Sequence, residues 1–165
     1  LSIFDRVISF SGKNLTREAV TQNLNVLDYD SYFTMTDLLL ENKIPDVLNN
    51  FNSILAKGFE GHHFINGLAS HFRDLLVAKD TVTIDLLEVG DNAKKKYLEQ
   101  SSKASITFLI KSINKANQCD LNYRASKNQR LLVELTLMQI ASNTFDGKKK
   151  KQTKYKIQTN IINKI

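Results

Sequence analysis

Apolar residues recur along this chain at spacings of three and four, the period of a helix buried on one side, with no convincing strand-like alternation anywhere. The pattern predicts an all-α fold, a helical bundle. Leu1, Ile3, Phe4, Val7, Ile8 and Phe10 make a first apolar face that Gly12 ends, and residues 15–24 make a second short helix with Thr16 as N-cap. A third helix is predicted over 30–41. The only proline, Pro45, opens a fourth at a first-turn position where its missing N–H costs nothing. Ile44, Val47, Leu48, Phe51, Ile54 and Leu55 line the buried side of that helix, and Gly58 ends it where a left-handed residue is wanted.

The fifth helix, over 61–79, carries Phe64, Ile65, Leu68, Phe72, Leu75 and Leu76, with Gly67 as a close-packing site in its middle. Short helices are predicted over 81–89 and 91–100, on either side of Gly90. Residues 105–118 and 126–145 then form an antiparallel pair. In the last helix Leu131, Leu135 and Met138 share one side while Val133, Leu137 and Ile140 share another, so one core contact cannot cover both. The expectation is that Leu131 and Leu135 face the core. Val133 and Leu137 are then left to meet a partner.

Two segments carry the most information: GFEGHHFINGLASHFRDLL, residues 58–76, and KNQRLLVELTL, residues 127–137. Each is apolar on more than one side, as an assembly helix is. A helix ending in FRDLL, followed about fifty residues on by R-L-x-x-E-x-x-L, resembles the collar-forming third domain of the gamma/tau subunit family of the bacterial DNA polymerase III clamp loader. The resemblance implies that residues 1–27 are the remainder of an AAA+ lid, 28–145 the collar or oligomerisation domain and 146–165 a basic linker. It implies a place in the ATP-driven complex that opens the sliding clamp and sets it on primed DNA during replication. The implied partners are other clamp-loader subunits (gamma/tau copies, delta and delta prime), with DNA and the sliding clamp met through the whole complex. ATP and zinc are expected in a preceding N-terminal domain, since Leu1 is not a start methionine and LSIFDRVISF resembles the stretch just after the nucleotide-sensing arginine of the family.

Within the chain itself nothing reads as a catalytic, cofactor or metal site. A phosphate-cradling loop needs G-x-x-x-x-G-K-S/T, and although Gly12 and Gly147 each precede a lysine, neither has a glycine five residues earlier. His62, His63 and His71 are wrongly spaced to share an ion on one helix face, and His71 is read as exposed or capped. Cys119, the only cysteine, reads as a small core residue and fits a reducing compartment, with the cytoplasm as the default. No apolar run approaches the ~18 residues of a membrane span, so no membrane partner is expected.

Charge changes the picture in one respect. Residues 1–145 hold 16 Lys and Arg against 16 Asp and Glu, whereas 146–165 hold seven Lys and one Asp, so the whole net charge of +6 lies in the tail. Lys148, Lys149, Lys150 and Lys151 read as a solvated linker with possible contacts to DNA phosphate. The rival function is accordingly a helical nucleic-acid-binding module that acts through this tail. In the neutral body the charged residues singled out are Arg73, Asp74, Arg130 and Glu134. A glutamate inside LLVELTL needs a cation to offset its desolvation, and both Arg130, one turn earlier, and Arg73, across a helix contact, are candidates.

Overall fold

The computed structural model describes residues 27–144, and the expectations for the first two helices and for the basic tail lie outside them. Among the described residues there are six α-helices and no strand: α1 Tyr29–Leu40, α2 Ile44–Ala56, α3 Gly61–Val77, α4 Asp91–Lys103, α5 Ile106–Tyr123 and α6 Gln129–Ser142.

Local chemistry sets most of the boundaries. Asp28 caps α1 by accepting from the Ser31 N–H at 3.1 Å, Ser105 caps α5 through the Phe108 N–H at 3.0 Å, and Asn128 caps α6 through the Leu131 N–H at 3.1 Å. The first two helices end alike. After α1, Asn42 turns left-handed (φ 55°) while Asn42 N–H and Lys43 N–H donate to the carbonyls of Leu39 and Leu38. After α2, Gly58 (φ 93°) and Phe59 do the same to Leu55 and Ile54. Both are Schellman closures, which need a residue that tolerates positive φ, and Asn and Gly are the two that do so readily. The Asn42 side chain also donates its amide to the Ala141 carbonyl at 2.6 Å, tying the start of α2 to the end of α6.

The helix expected over 81–89 is absent; only a 3₁₀ turn, Ile84–Leu86, forms there. Asp80 takes the Val82 N–H at 2.8 Å and the Thr83 hydroxyl donates to the Val77 carbonyl at 2.7 Å, so side chains claim the groups a helix would use. Four successive β-branched residues, Thr81 to Ile84, add their own penalty. Elsewhere α4 and α5 run past their expected ends at 100 and 118. α6 is shorter at both ends than 126–145: the Asn128 cap starts it, and it closes at Asn143, whose N–H turns back to the Ile140 carbonyl.

Side-chain contacts fix the register. His62 stacks on Tyr123 with ring centroids 4.6 Å apart, and Phe72 meets Phe108 edge-on at 6.0 Å, so α3 runs antiparallel to α5. Arg130 reaches Asn52 while Asn42 reaches Ala141, so α6 runs antiparallel to α2. α3 is the central element and buries Phe64, Ile65, Leu68, Phe72 and Leu75 completely. Each such side chain contributes about 1.5–3 kcal/mol through burial. Gly67 is a close-packing site: the Tyr32 ring of α1 lies directly over it.

Candidate functional site

α6 sits with one side against α5, α2, α1 and α3, and among the described residues its other side is open. Val133, Leu137 and Ile140 are fully buried, whereas Leu131 is 54% and Leu135 46% exposed. This reverses the expected assignment of faces. Val133 and Leu137 belong to the core, and Leu131 and Leu135 are the residues turned outward. The two stripes are offset by two residues, about 200° around a helix, so they lie on opposite sides. Thr136 and Ala141 share the buried side, where small side chains let neighbouring helices approach. Gln139, exposed and four residues after Leu135, shares the open one. That spacing was the signal available in the sequence.

Charged residues border the open stripe. Arg130 Nε donates to Glu134 Oε1 at 2.7 Å and Arg130 Nη2 donates to Asn52 Oδ1 at 2.8 Å, so one guanidinium bridges α6 and α2. Glu134 is thereby paired one turn away on its own helix. Arg73 is not brought to it; its Nη1 donates to the adjacent Asp74 at 2.9 Å, at the edge of an open cleft of about 360 Å³ shared with Tyr29, Leu86, Glu88 and Val89. Both ion pairs are largely solvated, which makes each worth a fraction of a kcal/mol up to about 1 kcal/mol.

The histidines are placed differently from one another. His62 meets Asp120 at 2.5 Å, and hydrogen bonds from His62 and Asn66 hold the Asp120 carboxyl below its usual range. His63 lies at the surface, 3.9 Å from Glu60. His71, expected to be exposed or capped, is not exposed: it is 2% exposed, enclosed by Tyr32, Phe33 and Tyr97, and capped by its bond to Gln100. Spacing along the chain could not reveal this burial, because the residue that receives it is 29 positions away on another helix. Cys119 is a buried core residue, and burial pushes its thiol up, away from thiolate chemistry.

Among the described residues no three His, Cys, Asp or Glu side chains come together as a metal-binding group, and no helix is long and apolar enough to cross a membrane. Lys148, Lys149, Lys150 and Lys151 lie outside the described residues. No model of a known protein family matches the chain, and no curated protein matches it.

Proposed function

We propose that this chain is an assembly module, the collar part of a gamma/tau-type clamp-loader subunit of bacterial DNA polymerase III. The observation that carries the reading is α6, apolar on two opposite faces, of which one fills the core and the other presents Leu131 and Leu135 to solvent. An outward apolar stripe on a helix that also fills the core is the kind of surface an interface uses. The two resembling segments support the same reading, since the Phe72–Leu76 stretch and the Arg130–Leu137 stretch both lie on helices that build the bundle core.

On this reading residues 1–27 complete an AAA+ lid, 28–145 form the collar and 146–165 form a basic linker. The ring partners are other gamma/tau copies, delta and delta prime. ATP hydrolysis and zinc binding belong to a preceding domain, and the complex acts on the sliding clamp and primed DNA in the cytoplasm. The collar's work is mechanical. Packed side by side, such bundles hold the ring together while the ATPase domains change shape.

The test is co-assembly. Mixed with delta and delta prime and run on a sizing column with light scattering, the chain is expected to enter a heteromeric peak, and to show no nucleotide turnover alone. Failure to join any clamp-loader subunit, or turnover that survives repurification, contradicts the proposal. The seven lysines of the tail favour the second reading, nucleic-acid binding. If that holds, removal of residues 147–165 abolishes retention on DNA, and retention falls steeply with salt.

A further inference from the structure

His71 stands apart from the assembly surface. Its Nε2 lies 2.7 Å from Gln100 Oε1. The Gln100 amide is already oriented, because its Nε2 donates to the Phe33 carbonyl and to Asp37 Oδ1, each at 2.9 Å. Oε1 is therefore the acceptor and His71 must present Nε2–H, which leaves Nδ1 as a bare lone pair. That Nδ1 is buried and has no hydrogen-bond partner.

Gln100 is thus a hub: through it α4 is fastened to α3 at His71 and to α1 at Phe33 and Asp37. Tyr97, one turn earlier on α4, packs its ring 5.2 Å from His71 and 4.8 Å from Phe33. Around this hub α4 also makes the exposed Lys96–Asp30 pair at 2.8 Å, the Lys94–Asp85 pair at 4.0 Å, an edge-on contact of Tyr97 with Tyr29 at 6.4 Å and the Lys79 Nζ bond to the Ser101 carbonyl at 2.6 Å.

We propose that His71 is a proton-operated latch for α4: a proton added at Nδ1 releases α4 from α1 and α3 while the rest of the bundle stays closed. A protonated ring would carry a charge at 2% exposure and a second N–H with nothing to accept it. The titratable groups that face the ring are Asp37 and Tyr32 from α1, Asp74 from its own helix and Tyr97 from α4. Neither carboxylate is idle, since Asp37 accepts from Gln100 and Asp74 from Arg73. Burial outweighs the Gln100 hydrogen bond and the pull of the two carboxylates and holds the ring down at about 4. α4 supplies both Gln100 and Tyr97, so lifting it opens the ring to water.

The test is amide hydrogen exchange at pH 7 and pH 4.5, corrected for the intrinsic rate. The fall in protection across α4 is expected to exceed that across α5 at least tenfold, and His71→Gln, neutral at both pH values, is expected to remove the difference. Equal losses in α4 and α5, or the same α4 loss in His71→Gln, overturn the proposal. If His71→Gln does not fold, the imidazole signal of the unaltered chain decides by NMR. A midpoint well below the ordinary histidine range that coincides with the change in the α4 amides supports the latch, and titration in the ordinary range with α4 unmoved overturns it.

Discussion

The Tyr32 hydroxyl occupies the space in which a side chain at position 67 would begin. A Cβ at Gly67 would overlap the Oη and Cζ atoms of Tyr32, and even Cε1 would lie 2.9 Å away. The ring cannot simply swing aside, because it stacks on Phe64 at 6.1 Å and on His71 at 6.2 Å, and burial has pushed its hydroxyl up to about 12. Overpacking of this kind costs about 1–3 kcal/mol, against the ~1 kcal/mol that alanine gains over glycine inside a helix. Gly67→Ala is therefore expected to lower stability by up to about 2 kcal/mol in urea unfolding. In a Tyr32→Leu background the same change should be neutral or stabilising. Equal costs in the two backgrounds would show that the two residues do not compete for the space.

His71 gives stability a dependence on pH with a definite sign. Its folded pKa, about 4, lies below the ordinary 6.5, so the unfolded chain takes up the proton first. The contribution is complete above pH 6.5, is lost as pH falls toward 4, and amounts to about 3 kcal/mol at roughly 1.4 kcal/mol for each pH unit. Asp120 acts lower on the scale. Its pKa is depressed from 3.8, so its contribution is lost only as pH falls below that value. Stability of the His71→Gln variant measured from pH 7 to 4 should be nearly flat where the unaltered chain declines. A parallel decline in both would mean that His71 does not set the acid limit.

Asn42 has two duties that two substitutions separate. Asn42→Gly keeps the left-handed turn and loses the bond to the Ala141 carbonyl, at an expected cost of about 1 kcal/mol. Asn42→Ala loses the bond and also forces a side chain into positive φ, which adds about 1–2 kcal/mol. Thermal unfolding should rank the two in that order. A reversed or equal ranking would mean that the backbone at this position is not constrained.

The helices were legible wherever one periodic face coincided with a cap or a stop. Gly58, Pro45 and the Phe64-to-Leu75 stripe announce themselves through spacing and backbone chemistry alone. What escaped was whatever depended on a distant partner or on a choice between equals. The stretch from Thr81 carries apolar residues at a tolerable spacing, yet Asp80 and Thr83 divert its backbone groups into a turn. On α6 the two apolar stripes have the same period and similar bulk, so periodicity could show that there were two but not which one faced inward. Arg130 as the partner of Glu134 was within reach, because an i,i+4 pair is visible in sequence. The burial of His71 was not, since Gln100 comes from another helix.

The reading of α6 separates four substitutions into two classes. Val133→Asp and Leu137→Asp place a charge at fully buried positions and should unfold the bundle, whereas Leu131→Asp and Leu135→Asp place it in solvent and should leave helicity unchanged by circular dichroism. Full helicity in all four, or loss in all four, would refute the two-faced description.

Association of the folded chain through α6 is the central claim, and light scattering over a wide concentration range, with and without delta and delta prime, measures it directly. The unaltered chain should gain mass with concentration or on mixing with those subunits, and the Leu131→Asp/Leu135→Asp double variant, equally helical, should remain a monomer in both conditions. If the chain assembles side by side in a ring as proposed, its contacts join unlike surfaces, and the homotypic gain should be gradual and without a closed dimer endpoint. A strictly monomeric unaltered chain at high concentration that also ignores delta and delta prime, or a double variant that assembles as well as the unaltered chain, would contradict the account.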